Sequence, residues 1–243
     1  MPQPTRQAAD RAAARISEIV EGVFALLDDV RDRTAALAGT RRRPAKADLA
    51  ALRPALFAHL GGLVAGIGFI AAPGLLVDAP WYLEWWQDDP SGRPVQLLRD
   101  LDPAGSAFYD YTHWEWYAGP CEGAERTICG PYVDYLCTDE YSLTLSVPVT
   151  AGGVFAGVAA ADVFVRRFEG AVVPVLREVP APAFVISAAG RVVASSTAKW
   201  IGGSVFRGED GFEAHPCGEL PLSLVVASTA TLRGNHRTPS HSA

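Results

Sequence analysis

Apolar residues at Ile16, Val20, Val23, Leu27, Val30 and Leu37 recur three and four positions apart, broken only at Thr34. That rhythm places them on one stripe of a helix. The spacing predicts a long amphipathic helix over residues 5–39, capped by Gly39 and barred from continuing by Pro44. The stripe fits packing on its own domain or on a second copy of the chain, and the pattern does not choose between them. A second helix is expected over "ADLAALRPALFAHLGG", kinked or restarted at Pro54 and stopped by Gly61 and Gly62.

Beyond it the helical period gives way to short runs rich in Val, Ile, Phe and aromatic residues: "LVAGIGFIA", "WYLEWWQ", "YSLTLSVPV", "GVFAGVAAADV", "PAFVISA", "GRVVASS" and "LSLVVAS". These read as strands. Gly152-Gly153 and Gly190 mark two hairpins, because glycine supplies the positive φ that tight turns require. "RRFEGAVVPVLREV" is expected to be a helix crossing between sheet segments despite Pro174. Helices that lead and strands grouped behind them define an α+β fold on an antiparallel sheet.

The 22 residues Leu56 to Val77 contain no Lys, Arg, Asp or Glu, which is long enough to span a bilayer. Five glycines' worth of punctuation between Gly61 and Gly74, together with Pro73, instead favours a helix end, a buried strand and a turn. The opening residues carry charges from Arg6 to Asp29 and lack the apolar run of a secretory signal. The expectation is therefore a cytoplasmic protein without membrane contact. The tail "RGNHRTPSHSA" has no apolar period and is expected to be mobile.

The chain has 243 residues, 49% hydrophobic and 20% charged, which is ordinary globular composition. A net charge of −6, with basic residues clustered only in "TRRRPAK", excludes a phosphate-neutralising stripe and so a nucleic-acid partner. Cys121, Cys129, Cys137 and Cys217 form no C-x-x-C pair and are read as reduced, structural thiols rather than metal ligands. No nucleophile elbow, zinc-protease motif, phosphate loop or dinucleotide fingerprint is present, so neither a catalytic residue, a metal nor a cofactor is expected.

One stretch stands apart. "YDYTHWEWYAGP" packs Tyr109, Tyr111, Trp114, Trp116 and Tyr117 around His113. Read onward through "GPYVD", "LSVPV" and "GVFAGVAAADV", it resembles the ligand-binding part of Cache domains, the PAS-like sensory modules of bacterial receptors. "FVISAAGRVVASSTAKWIGGSVF" resembles the opening of the second module of a double Cache arrangement. The resemblance implies a long N-terminal helix (1–44, a candidate dimerisation element), a ligand-binding domain (45–180) and a reduced second PAS-like module or sheet extension (181–231), while the aperiodic tail (232–243) is expected to be disordered.

In the amino-acid-sensing branch, the ligand is held by a tyrosine, an arginine, a Trp-Tyr pair, a Tyr-x-Asp and a final aspartate. The matching positions here are Tyr109, Trp116 and Tyr117, Tyr132 and Asp134, and Asp162. Trp114 stands where the arginine is expected, and an indole cannot grip a carboxylate with paired charged hydrogen bonds. The resemblance therefore implies a sensor for an amine, diamine or quaternary ammonium ligand in preference to an α-amino acid, signalling through a partner. Trp81, Trp85 and Trp86 are read as core or dimer surface. Two rivals are a thiol enzyme using Cys121, Cys129 or Cys137 with His113, and a structural dimerisation module whose aromatics are interface.

Overall fold

A computed structural model describes residues 1–40, 42–89, 91–133 and 140–228. Asp134, Cys137, Asp139 and the tail 232–243 lie outside the described residues. The first helix, α1 (Gln3–Ala38), follows the predicted period, and Ile16, Val20, Val23, Phe24, Leu27 and Val30 on its stripe are all buried. Thr34, the polar break in the stripe, is also buried and donates its hydroxyl to the Val30 carbonyl at 2.7 Å. The second helix is interrupted as Pro54 requires: α2 (Lys46–Leu49) passes through a 3₁₀ turn at Ala50–Leu52 and restarts as α3 (Arg53–His59) with the proline in its first turn.

The described residues divide into two compact units: Val20–Arg167, and Met1–Ile19 together with the described residues from Phe168 on. The first unit holds an antiparallel sheet of β1 (Val64–Ala71), β2 (Leu83–Asp88), β3 (Pro94–Gln96), β4 (Thr127–Val133), β5 (Tyr141–Ala151) and β6 (Val154–Phe164), ordered β3-β2-β1-β6-β5-β4. The short helix α4 (Glu115–Cys121) lies against β4, β5 and β6. Gly152 (φ 58°) and Gly153 (φ 80°) turn β5 into β6, the doubly positive φ of a two-residue hairpin loop.

In the second unit, a four-stranded antiparallel sheet contains β7 (Ala183–Ser187), β8 (Val192–Ser195), β9 (Phe212–Pro216) and β10 (Leu222–Ala227), ordered β8-β7-β10-β9. Phe184 anchors its aromatic core, with Trp200, Phe206 and Phe212 all packed around it. The crossing helix α5 spans Val165–Leu176. The α+β reading with a large and a smaller antiparallel sheet is therefore observed.

Alternation along β2 sorts its side chains. Leu83 and Trp85 face one side of the large sheet, while Glu84 and Trp86 face the other. Glu84 is fully buried, and its carboxylate accepts from Arg53 Nε (2.8 Å), Trp86 Nε1 (2.7 Å) and the Tyr82 hydroxyl (2.9 Å). Arg53 also lies over the Trp86 ring, and Phe57 meets that ring edge-on at 4.6 Å. This network ties α3 to β2. Glu84→Ala strands three donors at once and should cost about 2–4 kcal/mol in urea unfolding; Glu84→Gln, which keeps the shape, should cost less. Equal stability of Glu84→Ala and wild type would show that the network carries no load.

Candidate ligand pocket

The opposite face of the same sheet bears a cavity, and register explains its composition. Cross-strand pairing sets Gly68 beside Trp85 and Ala160, Gly66 beside Asp162, and Asp162 beside Thr144. Gly66 and Gly68 let Trp85 and the β2 backbone come close, Ala160 leaves a shallow floor, and larger side chains wall it. Those walls are Ile70, Leu83, Trp85, Leu97, Tyr109, Trp116, Tyr132, Thr144 and Asp162. The free space is about 30 Å³, room for about two water molecules, so an occupant must be small or must part the rim.

Loop and helix close the cavity from above. Ser146 donates its hydroxyl to the Trp116 carbonyl at 2.7 Å, fixing α4 on β5 so that Trp116 points down. Tyr109 is positioned by its backbone N–H, which donates to the Asp100 carbonyl at 2.8 Å. Tyr111, fully buried, donates its hydroxyl to the Ala71 carbonyl at 2.7 Å and so ties the aromatic loop to the end of β1.

The polar wall is one connected chain. Thr144 donates its single hydroxyl proton to Asp162 at 2.6 Å, so the Tyr132 hydroxyl, bonded to the same threonine oxygen, is the donor in that contact. Both dipoles run toward Asp162, whose side chain is buried with only 9% of the residue exposed.

Of the residues expected at a site, Tyr109, Trp116, Tyr132 and Asp162 line this cavity together. Trp114 does not line it; its indole stacks at 6.5 Å on Tyr132, just outside. Tyr117 faces away, into a separate hollow with Phe155 and Cys121, where burial raises its phenol well above the ordinary value. Asp134 lies outside the described residues. The dense aromatic stretch thus divides its labour between core (Tyr111, Tyr117) and pocket wall (Tyr109, Trp116).

Sequence reasoning missed Thr144 and Trp85. Threonine inside a strand carries no special signal, and Trp85 was grouped with its neighbours as core or dimer surface. The alternation of "LEWW" already separates Trp85 from Trp86 by face. Trp85 is 5% exposed, and its Nε1 is buried with no hydrogen-bond partner among the described residues.

No protein-family model matches the chain, and no curated protein matches it. Solved structures do match, at low identity. The ligand-binding domain of the Pseudomonas aeruginosa amino-acid chemoreceptor PctC, in complex with GABA, aligns with a TM-score of 0.59 and 19% identity over 90% of this chain and 96% of that one. The sensory domain of the Campylobacter jejuni chemoreceptor Tlp3 aligns with a TM-score of 0.66 and 11% identity over 95% and 94%. The extracellular domain assigned to a histidine kinase, soHK1S-Z6, aligns with a TM-score of 0.63 and 15% identity over 94% of each chain.

The fold is therefore that of the ligand-binding sensory domains of chemoreceptors and histidine kinases, as the Cache resemblance implied. These structures overturn the expected cytoplasmic location, because the similar kinase domains are extracellular ones. The charged start of α1, read as the absence of an export signal, is the leading helix of a sensory fold and carries no information on export. Among the described residues no helix is long and apolar enough to cross a membrane.

Burial pushes the Cys129 thiol up to about 12 and the Cys217 thiol up to about 11, so both stay protonated at neutral pH and neither is a ready nucleophile. Cys121 is exposed. Alkylation of the folded protein at pH 8, mapped by mass spectrometry, should label Cys121 and spare Cys129 and Cys217; fast labelling of Cys129 would contradict its placement. Because both folded values lie above the ordinary thiol value of 9.0, the stabilisation is complete below about pH 9 and is lost as pH rises toward 11–12.

Proposed function

We propose that this chain is the ligand-binding part of a small-molecule sensor and that its ligand carries an ammonium group. The observation that carries the reading is the buried Asp162 carboxylate in a cavity wall otherwise made of aromatic and aliphatic side chains and Thr144, with no lysine or arginine among the described lining residues. A carboxylate withdrawn from water favours a cationic partner strongly. The faces of Tyr109, Trp116 and Tyr132 add attraction of about 0.5–2 kcal/mol each for a cation seated among them.

The similar domains belong to chemoreceptors and kinases, which supports a role in signalling, with ligand occupancy passed to a separate output partner. Their ligands bear on the choice of substrate class. PctC holds GABA, and Tlp3 and the Pseudomonas fluorescens receptor CtaA hold L-valine. Those are amino acids, and they lean against a carboxylate-free ligand. The amine preference rests on the other side, on Trp114 at the place where the resemblance expects an arginine and on the aromatic and acidic character of the described wall.

Isothermal titration of the protein with primary amines and quaternary ammonium compounds, set against α-amino acids, separates the two. The expected result is tighter binding of amines, lost at least tenfold in Asp162→Asn with unchanged unfolding. Trp114→Arg should move the preference toward α-amino acids. Binding of amino acids to wild type with no response to any amine would reject the ammonium-only reading.

A further inference from the structure

The pocket holds a donor that the proposed ammonium contact leaves unused. Trp85 is buried, lines the cavity, and its indole N–H meets no acceptor among the described residues. Burying such a donor unpaired is unfavourable, and few native groups tolerate it without a water or a ligand. Among the described cavity-lining residues it is the buried side-chain nitrogen or oxygen in this condition.

Its position is set by a glycine. A Cβ built on Gly66 would meet Trp85 Nε1 at 3.0 Å, so the nitrogen edge of the indole occupies the space a side chain there would take. Gly66 pairs directly with Asp162 on the next strand. The indole N–H and the carboxylate therefore share one face of the sheet, separated by roughly one strand spacing, about 5 Å. Two of the hydroxyls on this wall, those of Tyr132 and Thr144, already direct their protons along the chain to Asp162.

We infer that Trp85 is a specificity-determining residue: its N–H donates to an uncharged oxygen of the ligand, which is an amine bearing a hydroxyl or carbonyl oxygen two or three carbons from the nitrogen. A ligand oxygen satisfies the indole N–H, whereas a methyl group in the same position leaves the donor unpaired. This rests on the ammonium reading above, and deepens it from a charge preference to a bifunctional ligand.

Two matched pairs test it by calorimetry on the full chain: ethanolamine against n-propylamine, and 3-amino-1-propanol against n-butylamine. Wild type should favour the oxygen-bearing member of at least one pair about five- to tenfold. Trp85→Phe should abolish that preference while still binding the plain amine, which also shows that the variant is folded. Arg99→Gln serves as the comparison. Arg99 follows the cavity-lining Leu97 by two residues, and its Nε is likewise buried without a partner; loss of the preference in this variant, with Trp85→Phe unaffected, would assign the oxygen contact to arginine and overturn the proposal.

A readout independent of mutation is the indole ¹H–¹⁵N resonance of Trp85, assigned through its disappearance in Trp85→Phe. It should shift downfield with the amino alcohol and much less with the alkylamine. Equal binding of both members of each pair, with amines still bound, rejects this inference alone. Failure of all four compounds to bind, alongside tight binding of α-amino acids, rejects the ammonium reading and this inference with it.

Discussion

A carboxylate held on a strand and closed off from water governs the pocket. Asp162 is placed by the β5-β6 ladder, which sets it beside Thr144, and by the β1-β6 ladder, which sets it beside Gly66. A one-residue slip in either ladder would send it to the other face, where Ala161 and Val163 are buried. The hairpin at Gly152-Gly153 and the one-residue register shift between Val149 and Thr150 together set that register, and with it the side of the sheet that carries negative charge.

The rest of the site is arranged around that choice. Gly66 and Gly68 let Trp85 and the β2 backbone come close, and Ala160 keeps the floor shallow. At Gly68 an added Cβ would lie 2.3 Å from the Glu84 carbonyl oxygen, so β2 could not keep its place. Trp85 takes the space over Gly66, and α4, fastened by Ser146, lowers Trp116 from the opposite side. On the far face, Glu84 gathers Arg53, Tyr82 and Trp86, so the two faces of β2 are polar and satisfied on one side and open to a ligand on the other.

Much of the fold was legible in the residues. The three-and-four spacing from Ile16 onward gave the bounds of α1 to within two residues, and Gly152-Gly153 and Gly190 located the two hairpins. Helix α4 was not legible, because "EWYAGPC" combines a proline, a glycine and consecutive aromatics that mask any period, and β3, β4 and β9 are short or start in turn-rich sequence. At the site, the Cache resemblance picked out Tyr109, Trp116, Tyr132 and Asp162, and these four line one cavity. It did not foretell that Tyr117 turns into the core, that Trp114 stacks outside the cavity, or that Thr144 and Trp85 complete the wall. Those outcomes depend on strand register and helix rotation, which local pattern does not encode. Location was misread for a different reason: charge in the first residues reports an amphipathic helix and nothing about the compartment.

The most direct measurement is a crystal structure of the protein with a bound amine. The account predicts the ligand nitrogen within hydrogen-bond distance of the Asp162 carboxylate, flanked by the rings of Tyr109, Trp116 and Tyr132. A ligand seated elsewhere, or one whose positive group avoids Asp162, would contradict it.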